Sequence, residues 1–294
     1  MNTGVIGLGA MGAPIALNLH RAGFLRCVWN RTRAKAEALA AHTGVAVAAD
    51  PADLAARCEL VITSVSADDD VLAVIDALIP ALARDAVVVD TSTVSADTAR
   101  EAARRLDAAG AHFLDAPVSG GVEGARTGTL AMMVGGDEAV LERVRPVLAA
   151  LASRIEHMGP VGAGQATKAV NQIMVAGINQ AVTEALAFGE AMHLPMDKVI
   201  AVVGGGAAAN WFLSHRGPSM VQGRYVPGFK LALHHKDLAI CKRMAERFGV
   251  QLPVVEMTLI HYRRLMEAGY GDEDISALLR QKRQLFAAKP PEKK

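Results

Sequence analysis

The stretch that decides the fold is Thr3–Pro14, TGVIGLGAMGAP. It starts with an apolar run, Thr3–Leu8, that is typical of a buried strand. The run leads through three spaced glycines into a helical pattern, and a second strand-like run, Arg26–Asn30, follows. A Gly-x-Gly-x-x-Gly pattern in this strand–turn–helix–strand context indicates a dinucleotide-binding turn.

Each glycine of this loop has a physical task. Gly7 permits a tight turn, Gly9 lets the backbone approach a pyrophosphate, and Gly12 lets the helix pack closely on the strand. The N–H groups at the start of the helix then face the phosphates. The alternative is a purely structural turn. We predict that the cofactor contacts here are Gly7, Leu8, Gly9, Ala10, Met11 and Gly12.

Strand-like and helix-like runs alternate as far as Pro160. The predicted strands are Thr3–Leu8, Arg26–Asn30, Val45–Ala48, Leu60–Val65, Ala86–Asp90, His112–Ala116, Leu130–Val134 and Arg154–His157. Alternation of this kind is typical of the α/β class, with a parallel sheet covered on both faces by helices. We therefore predict a Rossmann-type, doubly wound, mainly parallel sheet over residues 1–160.

After Gly164 only helical patterns occur, so residues 161–294 are predicted to form a second, all-α domain. A long helix over about 164–193, some 45 Å at ~1.5 Å per residue, joins the two domains. Its small and apolar residues occur on nearly every side, which favours burial against its own domain and a second subunit. We expect a homodimer or homotetramer, and a frayed tail at Lys289–Lys294.

The composition excludes several classes of protein. Hydrophobic residues make up 51% of the 294, and the net charge of +1 comes with scattered Lys and Arg, so no nucleic-acid surface is expected. Cys27, Cys58 and Cys241 have neither metal nor disulfide spacing. The N-terminus lacks signal-peptide features, and polar residues interrupt the long helix. We expect a soluble, cytoplasmic protein without a membrane span or a metal site.

The end of the second strand bears on the choice of cofactor. An NAD enzyme usually has Asp or Glu there to hold the ribose 2′-hydroxyl, but this chain has Asn30-Arg31-Thr32. A guanidinium and a hydroxyl suit a 2′-phosphate. We predict that Asn30, Arg31 and Thr32 contact the cofactor and that NADP is preferred, with NAD as the alternative. Arg31 could also be a solvated turn residue.

Four separated motifs carry a resemblance to the β-hydroxyacid dehydrogenases, the 3-hydroxyisobutyrate dehydrogenase family. Together they extend over nearly the whole chain, and in this order they are highly specific. They are Gly7–Pro14, Asp115–Ala125 with its continuation to Gly136, Gly162–Asn171, and His235-Lys236-Asp237-Leu238.

The resemblance implies that Lys168 is the catalytic acid/base. Oxidation of an alcohol requires a group that takes the hydroxyl proton while hydride leaves, and a lysine serves where its surroundings lower its pKa. On a helix, Asn171 and Gln172 share a face with Lys168. A lysine on a helix is otherwise most often a surface residue. We expect Lys168 in the cleft between the domains, near the nicotinamide C4 and across from Ser119.

The same likeness implies the substrate contacts. Ser119, Gly120 and Gly121 would grip a carboxylate through backbone N–H groups and a hydroxyl. The alternative is a structural loop. Asn171 would hydrogen-bond the reacting oxygen, but relatives often have two successive Asn residues and this chain has Gln172 second. Which of the two amides makes the contact therefore stays open.

The remaining candidates also come from the resemblance. Val65 and Ser66 match cofactor contacts, but relatives often have Leu-Pro there, so only the backbone role carries over. Thr93 matches a cofactor or substrate contact, although the proline usual three positions later is Ala96. Lys236 would reach the cofactor and Asp237 would orient catalytic groups, unless they are a plain helix-surface pair. Phe229 matches an aromatic residue that lines the cleft. Trp211 and His215 could shape the substrate pocket, or be a core residue and a loop residue.

The predicted function is an NADP-preferring oxidoreductase that interconverts a small 3-hydroxyacid and its semialdehyde. An alternative within the family is a glyoxylate or succinic semialdehyde reductase. A different class is a non-catalytic oligomerisation module, which would lack the lysine at position 168. The sequence leaves the substrate and the preferred direction of reaction open.

Overall fold

The computed structural model describes residues 1–287, so the predicted tail at Lys289–Lys294 lies outside the described residues. The chain forms two compact units, Met1–Lys168 and Ala169–Lys294. Each unit has its own apolar core. Among the helices of residues 1–287, none combines the length and apolar character needed to cross a membrane.

The first unit alternates strands and helices. Its strands are β1 (Thr3–Ile6), β2 (Leu25–Trp29), β3 (Ala46–Val47), β4 (Leu60–Thr63), β5 (Val87–Asp90), β6 (His112–Asp115), β7 (Val118–Ser119), β8 (Leu130–Gly135) and β9 (Ala152–Gly159). Its helices are α1 (Gly12–Arg21), α2 (Arg33–Thr43), α3 (Pro51–Ala55), α4 (Asp68–Leu78), α5 (Ala96–Ala108), α6 (Gly121–Thr127) and α7 (Glu138–Leu148), and a 3₁₀ turn covers Ile79–Ala81.

The strands form one sheet in the order β3-β2-β1-β4-β5-β6-β8-β7, with β9 paired to β8. All pairs from β3 to β6 are parallel, and β8 is antiparallel to β6 and β7. The predicted mainly parallel, doubly wound sheet is confirmed. Because the strand order reverses between β1 and β4, the carboxyl ends of these strands flank a crevice, where ligands bind in such sheets.

Two strands differ most from the sequence prediction, and the others differ from it by at most two residues at either end. β7 was not predicted because it is only two residues long and lies beside glycines. β9 is longer than Arg154–His157 because it pairs along β8 over its whole length. Its side chains are mostly exposed or half-buried, so periodic apolar residues did not mark its ends.

The second unit is all-helical, as predicted. Its helices are α8 (Ala163–Ala191), which starts in the first unit, α9 (Met196–Gly204), α10 (Trp211–Val221), α11 (Leu231–Glu246), α12 (Pro253–Glu267) and α13 (Leu278–Ala287), with a 3₁₀ turn at Ile275–Ala277. The long helix expected over about 164–193 ends two residues early. His193 has φ 55° there, and Leu194 N–H donates back to Gly189 O at 3.1 Å, which closes the helix.

Candidate active site

The glycine loop between β1 and α1 contains two kinds of glycine: those where a Cβ would clash with backbone and one where a Cβ would have space. A Cβ on Gly7, whose φ is +90°, would lie 2.2 Å from Ser64 O, and one on Gly12 would lie 1.8 Å from Gly7 O. Both residues are therefore glycine because neighbouring backbone is too close for a side chain. A Cβ on Gly9 would meet no heavy atom of residues 1–287 within 4 Å. The open space at Gly9, beside the start of α1, fits a pyrophosphate.

Asn30 holds this loop against the end of β2. Its Oδ1 accepts a hydrogen bond from Leu8 N–H at 2.8 Å, and its Nδ2 donates to Thr32 O at 2.9 Å. Gly7 N–H donates to Trp29 O at 3.0 Å. The Asn30 amide is thus already engaged on both sides, and its contribution in this geometry is to position the loop.

Arg31 lies next to a carboxylate that the sequence pattern did not indicate. Its Nη1 is 2.9 Å from Oδ1 of Asp70, in the first turn of α4, while 82% of its side chain remains exposed. The absence of an acidic residue at the end of β2 therefore does not make this corner free of negative charge. Thr32 precedes α2 and makes no side-chain capping bond to that helix.

The ends of β4 and β5 are joined by a serine. The Ser92 hydroxyl donates to Asp90 Oδ1 at 2.6 Å and accepts from Val65 N–H at 2.9 Å. Val65 is thereby fixed beside the crevice, with Ser66 exposed and Thr93 half-buried next to them. These predicted cofactor contacts follow neighbouring parallel strands and lie at one edge of the sheet.

The start of α8 is held by two buried residues that were not among the predicted site residues. Asp115 accepts hydrogen bonds from Gly162 N–H at 2.7 Å and Gln165 N–H at 2.8 Å. Gln165 donates its Nε2 to Ser92 O at 2.8 Å and accepts from Val94 N–H at 3.2 Å. Both lie inside the quoted motifs, and Gln165 precedes Lys168 by three residues, nearly one helical turn.

Burial raises the pKa of the Asp115 carboxyl to about 6, although the N–H groups of Gly162 and Gln165 act to lower it. The nearby Asp90 carboxylate also raises this pKa. The carboxyl that fixes the beginning of α8 therefore titrates closer to neutrality than an ordinary aspartate.

Lys168 is buried, with 7% of its surface exposed, and its Nζ donates to Val118 O at 2.8 Å. Val118 immediately precedes Ser119, which is half-buried, and the turn continues through Gly120 (φ +126°) and Gly121 (φ +63°). These positive φ values favour glycine. The buried amine and the predicted carboxylate-binding turn therefore lie next to each other within the first unit.

In the second unit, Gln172 and Asn171 make different contacts. Gln172 is 1% exposed, donates Nε2 to Asp237 Oδ2 at 2.7 Å and accepts from Asn171 Nδ2 at 2.7 Å. Asp237 Oδ1 is 3.1 Å from Lys236 Nζ. Asn171 is half-buried. The oxygen and the nitrogen of the Gln172 amide are therefore both hydrogen-bonded. Through Gln172, the Lys236–Asp237 pair is linked to polar residues of α8, so it is not an isolated pair on a helix surface.

Phe229 is held by a buried carboxylate. Its N–H donates to Asp274 Oδ2 at 3.0 Å, and its ring lies 5.3 Å from the buried His234 ring. Asp274 also accepts two hydrogen bonds from Arg216, at 2.7 and 2.9 Å. Burial alone would raise the pKa of Asp274, but Arg216 and backbone N–H groups bring it below its ordinary value.

Trp211 is a surface residue of the second unit and not a core residue. It is 61% exposed, and its ring stacks on His215 with centroids 4.3 Å apart. The Arg216 guanidinium lies 5.2 Å from the centre of the Trp211 ring. This exposed aromatic pair is available for contact with a ligand or another protein surface.

Two family models together match most of the chain. Residues 2–159 match the NAD binding domain of 6-phosphogluconate dehydrogenase, and residues 162–281 match the NAD-binding domain of NADP-dependent 3-hydroxyisobutyrate dehydrogenase. The chain belongs to the β-hydroxyacid dehydrogenase family. This β-hydroxyacid dehydrogenase is an NAD(P)-dependent oxidoreductase that acts on a CH–OH group.

Individual relatives agree with this membership. The 2-hydroxy-3-oxopropionate reductase of Escherichia coli is 37% identical over 254 residues, which cover 86% of this chain and 87% of the relative. The NAD-dependent L-serine dehydrogenase of Pseudomonas aeruginosa is 33% identical over 93% of this chain and 95% of its own. A solved structure of Mycobacterium tuberculosis 3-hydroxyisobutyrate dehydrogenase with L-serine is 34% identical, with a TM-score of 0.87, and covers 96% of this chain and 99% of that one.

Proposed function

We propose that this β-hydroxyacid dehydrogenase prefers NADP and transfers a hydride between it and a small 3-hydroxyacid or the corresponding semialdehyde, with Lys168 as general acid/base. The observation that carries the proposal is the buried Lys168 amine, which donates to the Val118 carbonyl at 2.8 Å. Val118 directly precedes the Ser119–Gly121 turn. A bound nicotinamide supplies the hydride acceptor or donor.

The chain's own groups would act as follows. Ser119 Oγ and the N–H groups of Gly120 and Gly121 bind the substrate carboxylate. Lys168 Nζ accepts the proton of the substrate hydroxyl as the carbon loses hydride, and it returns a proton to the carbonyl oxygen in the reverse direction. Asp115 and Gln165 keep Lys168 in position by fixing the first turn of α8.

Asn171, and not Gln172, is proposed to contact the reacting oxygen. Gln172 is 1% exposed and is bonded to Asp237 and Asn171, whereas Asn171 is half-buried and therefore more accessible to a ligand. Asn171 donates one N–H to Gln172. Because an amide nitrogen has two N–H groups, the other N–H of Asn171 can donate to the substrate. Asp237 then acts on the substrate site by orienting these two amides.

The proposed NADP preference rests on Arg31 and Thr32, an exposed guanidinium and hydroxyl that suit a 2′-phosphate. Leu8, Gly9, Ala10 and Met11 would hold the pyrophosphate, and Val65, Ser66, Thr93 and Lys236 would hold the nicotinamide half. NAD is the competing cofactor, because a relative is named NAD-dependent and Asp70 stands against Arg31.

The substrate class follows from the anion-binding turn together with the relatives. The E. coli relative is named for 2-hydroxy-3-oxopropionate, and the M. tuberculosis enzyme was solved with L-serine. Both compounds are three-carbon carboxylates, and a short 3-hydroxyacid or its semialdehyde has the same groups. A glyoxylate or succinic semialdehyde reductase is the second candidate within the family.

A spectrophotometric panel tests this function. The purified protein is assayed with 3-hydroxyisobutyrate, glycerate, L-serine and 3-hydroxypropionate in oxidation, and with glyoxylate, 2-hydroxy-3-oxopropionate and succinic semialdehyde in reduction, with NADP and NAD in parallel. We expect the highest kcat/KM for a three- or four-carbon 3-hydroxyacid or its semialdehyde with NADP. A best substrate without a carboxylate, or a ratio of kcat/KM that favours NAD, would contradict the corresponding part of the proposal.

A further inference from the structure

The ion pair between Arg31 and Asp70 joins the loop after β2 to the first turn of α4, and the two residues are 39 positions apart in sequence. Arg31 follows β2 and Asp70 lies at the start of α4, the helix after β4. In the sheet, β1 lies between β2 and β4. The pair therefore extends across the carboxyl end of β1, the strand that leads into the Gly7–Gly12 loop, at the side of the crevice where β2 lies.

This position is where the cofactors differ. In a doubly wound sheet, the end of β2 meets the adenosine ribose, which carries a hydroxyl in NAD and a phosphate in NADP. A phosphate of nearly two negative charges and the Asp70 carboxylate would compete for one guanidinium, and they repel each other at short range. The NAD hydroxyl carries no charge, so Asp70 opposes only NADP.

We propose that Asp70 is a specificity-determining residue: it competes with the 2′-phosphate for Arg31 and so lowers the preference for NADP, which lets the same site use NAD. The inference rests on the proposed role of Arg31 in binding NADP. Asp70 has 29% of its side chain exposed, compared with 82% for Arg31, so the carboxylate is the more fixed partner and the guanidinium the one that must move.

The plain alternative is a surface ion pair with no effect on ligands, and many such pairs contribute nothing measurable. A substitution at Asp69 distinguishes a role of Asp70 in cofactor specificity from a general effect of surface charge. Asp69 is adjacent, belongs to the same helical turn, carries the same charge and is exposed. Neutralising Asp69 changes the net charge and the helix dipole environment as neutralising Asp70 does, but it leaves the carboxylate on Arg31 in place.

The experiment measures dissociation constants of NADPH and NADH by fluorescence titration for the wild type, Asp70→Asn, Asp69→Asn, Arg31→Ala and the double variant Arg31→Ala/Asp70→Asn. We expect Asp70→Asn to tighten NADPH binding by about fivefold and to leave NADH within about twofold. Asp69→Asn should leave the NADPH/NADH ratio within about twofold of the wild type. The double variant should gain less NADPH affinity over Arg31→Ala than Asp70→Asn gains over the wild type, because the competition for Arg31 is absent.

The outcomes separate the two proposals. If Arg31→Ala weakens NADPH binding but Asp70→Asn leaves the NADPH/NADH ratio unchanged, the inference is wrong and the cofactor assignment stands. An equal gain for Asp69→Asn would also overturn the inference, since it indicates a general field effect. If Arg31→Ala leaves NADPH binding unchanged, both the proposed NADP contact and the inference fail.

Discussion

Asn171 and Gln172 are neighbours in sequence but have different surroundings. Gln172 is buried between Asp237 and Asn171, whereas Asn171 is half-buried. Replacing Gln172 removes the partner of a buried carboxylate, and replacing Asn171 removes one accessible amide. The proposed contact with the substrate and the support of the fold therefore belong to two adjacent residues, whose effects can be measured separately.

We expect Asn171→Ala to lower kcat by about 10²-fold and the unfolding free energy by no more than about 1 kcal/mol, the cost of removing the donor to the buried Gln172 Oε1. Gln172→Ala should instead lower the unfolding free energy by about 1–3 kcal/mol, because the Asp237 oxygen loses its donor in the interior. Denaturant unfolding and steady-state kinetics on both variants decide this. The assignment would be contradicted if Gln172→Ala lost more kcat than Asn171→Ala while Asn171→Ala lost more unfolding free energy than Gln172→Ala.

The residues that could be predicted from sequence are those whose spacing is local. The glycine loop and the Lys168 motif depend on separations of a few positions, which fix a turn or a helix face. The partner of Arg31 is 39 positions away, and the partner of Gln172 is 65 positions away. Such pairs depend on how strands and helices pack, so no local pattern of charge or hydropathy indicates them.

At the scale of elements, the loop between β1 and α1 needs glycine for two different reasons, space for the cofactor at Gly9 and close backbone packing at Gly12. Gly9→Ala adds a methyl group to open space, so we expect a fold of nearly unchanged stability and NADPH binding weakened by at least about tenfold. Gly12→Ala puts a Cβ against Gly7 O, and we expect it to destabilise the chain by about 3 kcal/mol. Thermal unfolding without cofactor, followed by NADPH titration, distinguishes them. Equal destabilisation by both substitutions would contradict the loop geometry.

Asp115, which holds the start of α8, makes the stability of the chain depend on pH. Burial raises the pKa of Asp115 from 3.8 to about 6, so the folded chain binds this proton more tightly than the unfolded chain. The resulting stabilisation is fully present below the unfolded pKa and is lost as the pH rises through about 6.

We therefore expect the wild type to lose more unfolding free energy than Asp115→Asn between about pH 4 and about pH 7. Asp69→Asn, with an exposed side chain, serves as the charge control and should follow the wild type. The measurement is urea unfolding across this range. Parallel curves for Asp115→Asn and the wild type would show that Asp115 does not titrate there.

Elements were predicted well where apolar runs are long, as in β5, Val87–Asp90, which is wholly buried. They were predicted poorly where backbone geometry decides. Two-residue β7 depends on pairing with β8, and α8 ends through the left-handed backbone at His193. Neither feature leaves a periodic pattern of hydropathy in the sequence.

For the whole molecule, α8 carries an exposed apolar stripe. The residues on this face are Val170, Met174, Ala181, Ala185 and Phe188. Steps of 100° per residue put them within one narrow sector, over about 27 Å of helix. Val170 is 59% exposed, Met174 61% and Phe188 54%. An apolar stripe of this length is consistent with the homodimer or homotetramer that the sequence predicts.

We expect the wild type to elute as a dimer or tetramer in gel filtration with light scattering. Met174→Glu, which puts a charge in the centre of the stripe, should shift the mass towards the monomer. Lys198→Glu, an exposed change outside the stripe, should keep the wild-type mass. A monomeric wild type, or an unchanged mass for Met174→Glu, would contradict association through this face.

The most direct measurement is single-turnover hydride transfer by Lys168→Ala, with cofactor affinity measured on the same preparation. Lys198→Ala, which removes an exposed lysine from α9, is the matched control. We expect Lys168→Ala to slow hydride transfer by about 10³-fold or more, with the dissociation constant of NADPH within about threefold of the wild type. Hydride transfer within tenfold of the wild-type rate would exclude Lys168 as the general acid/base.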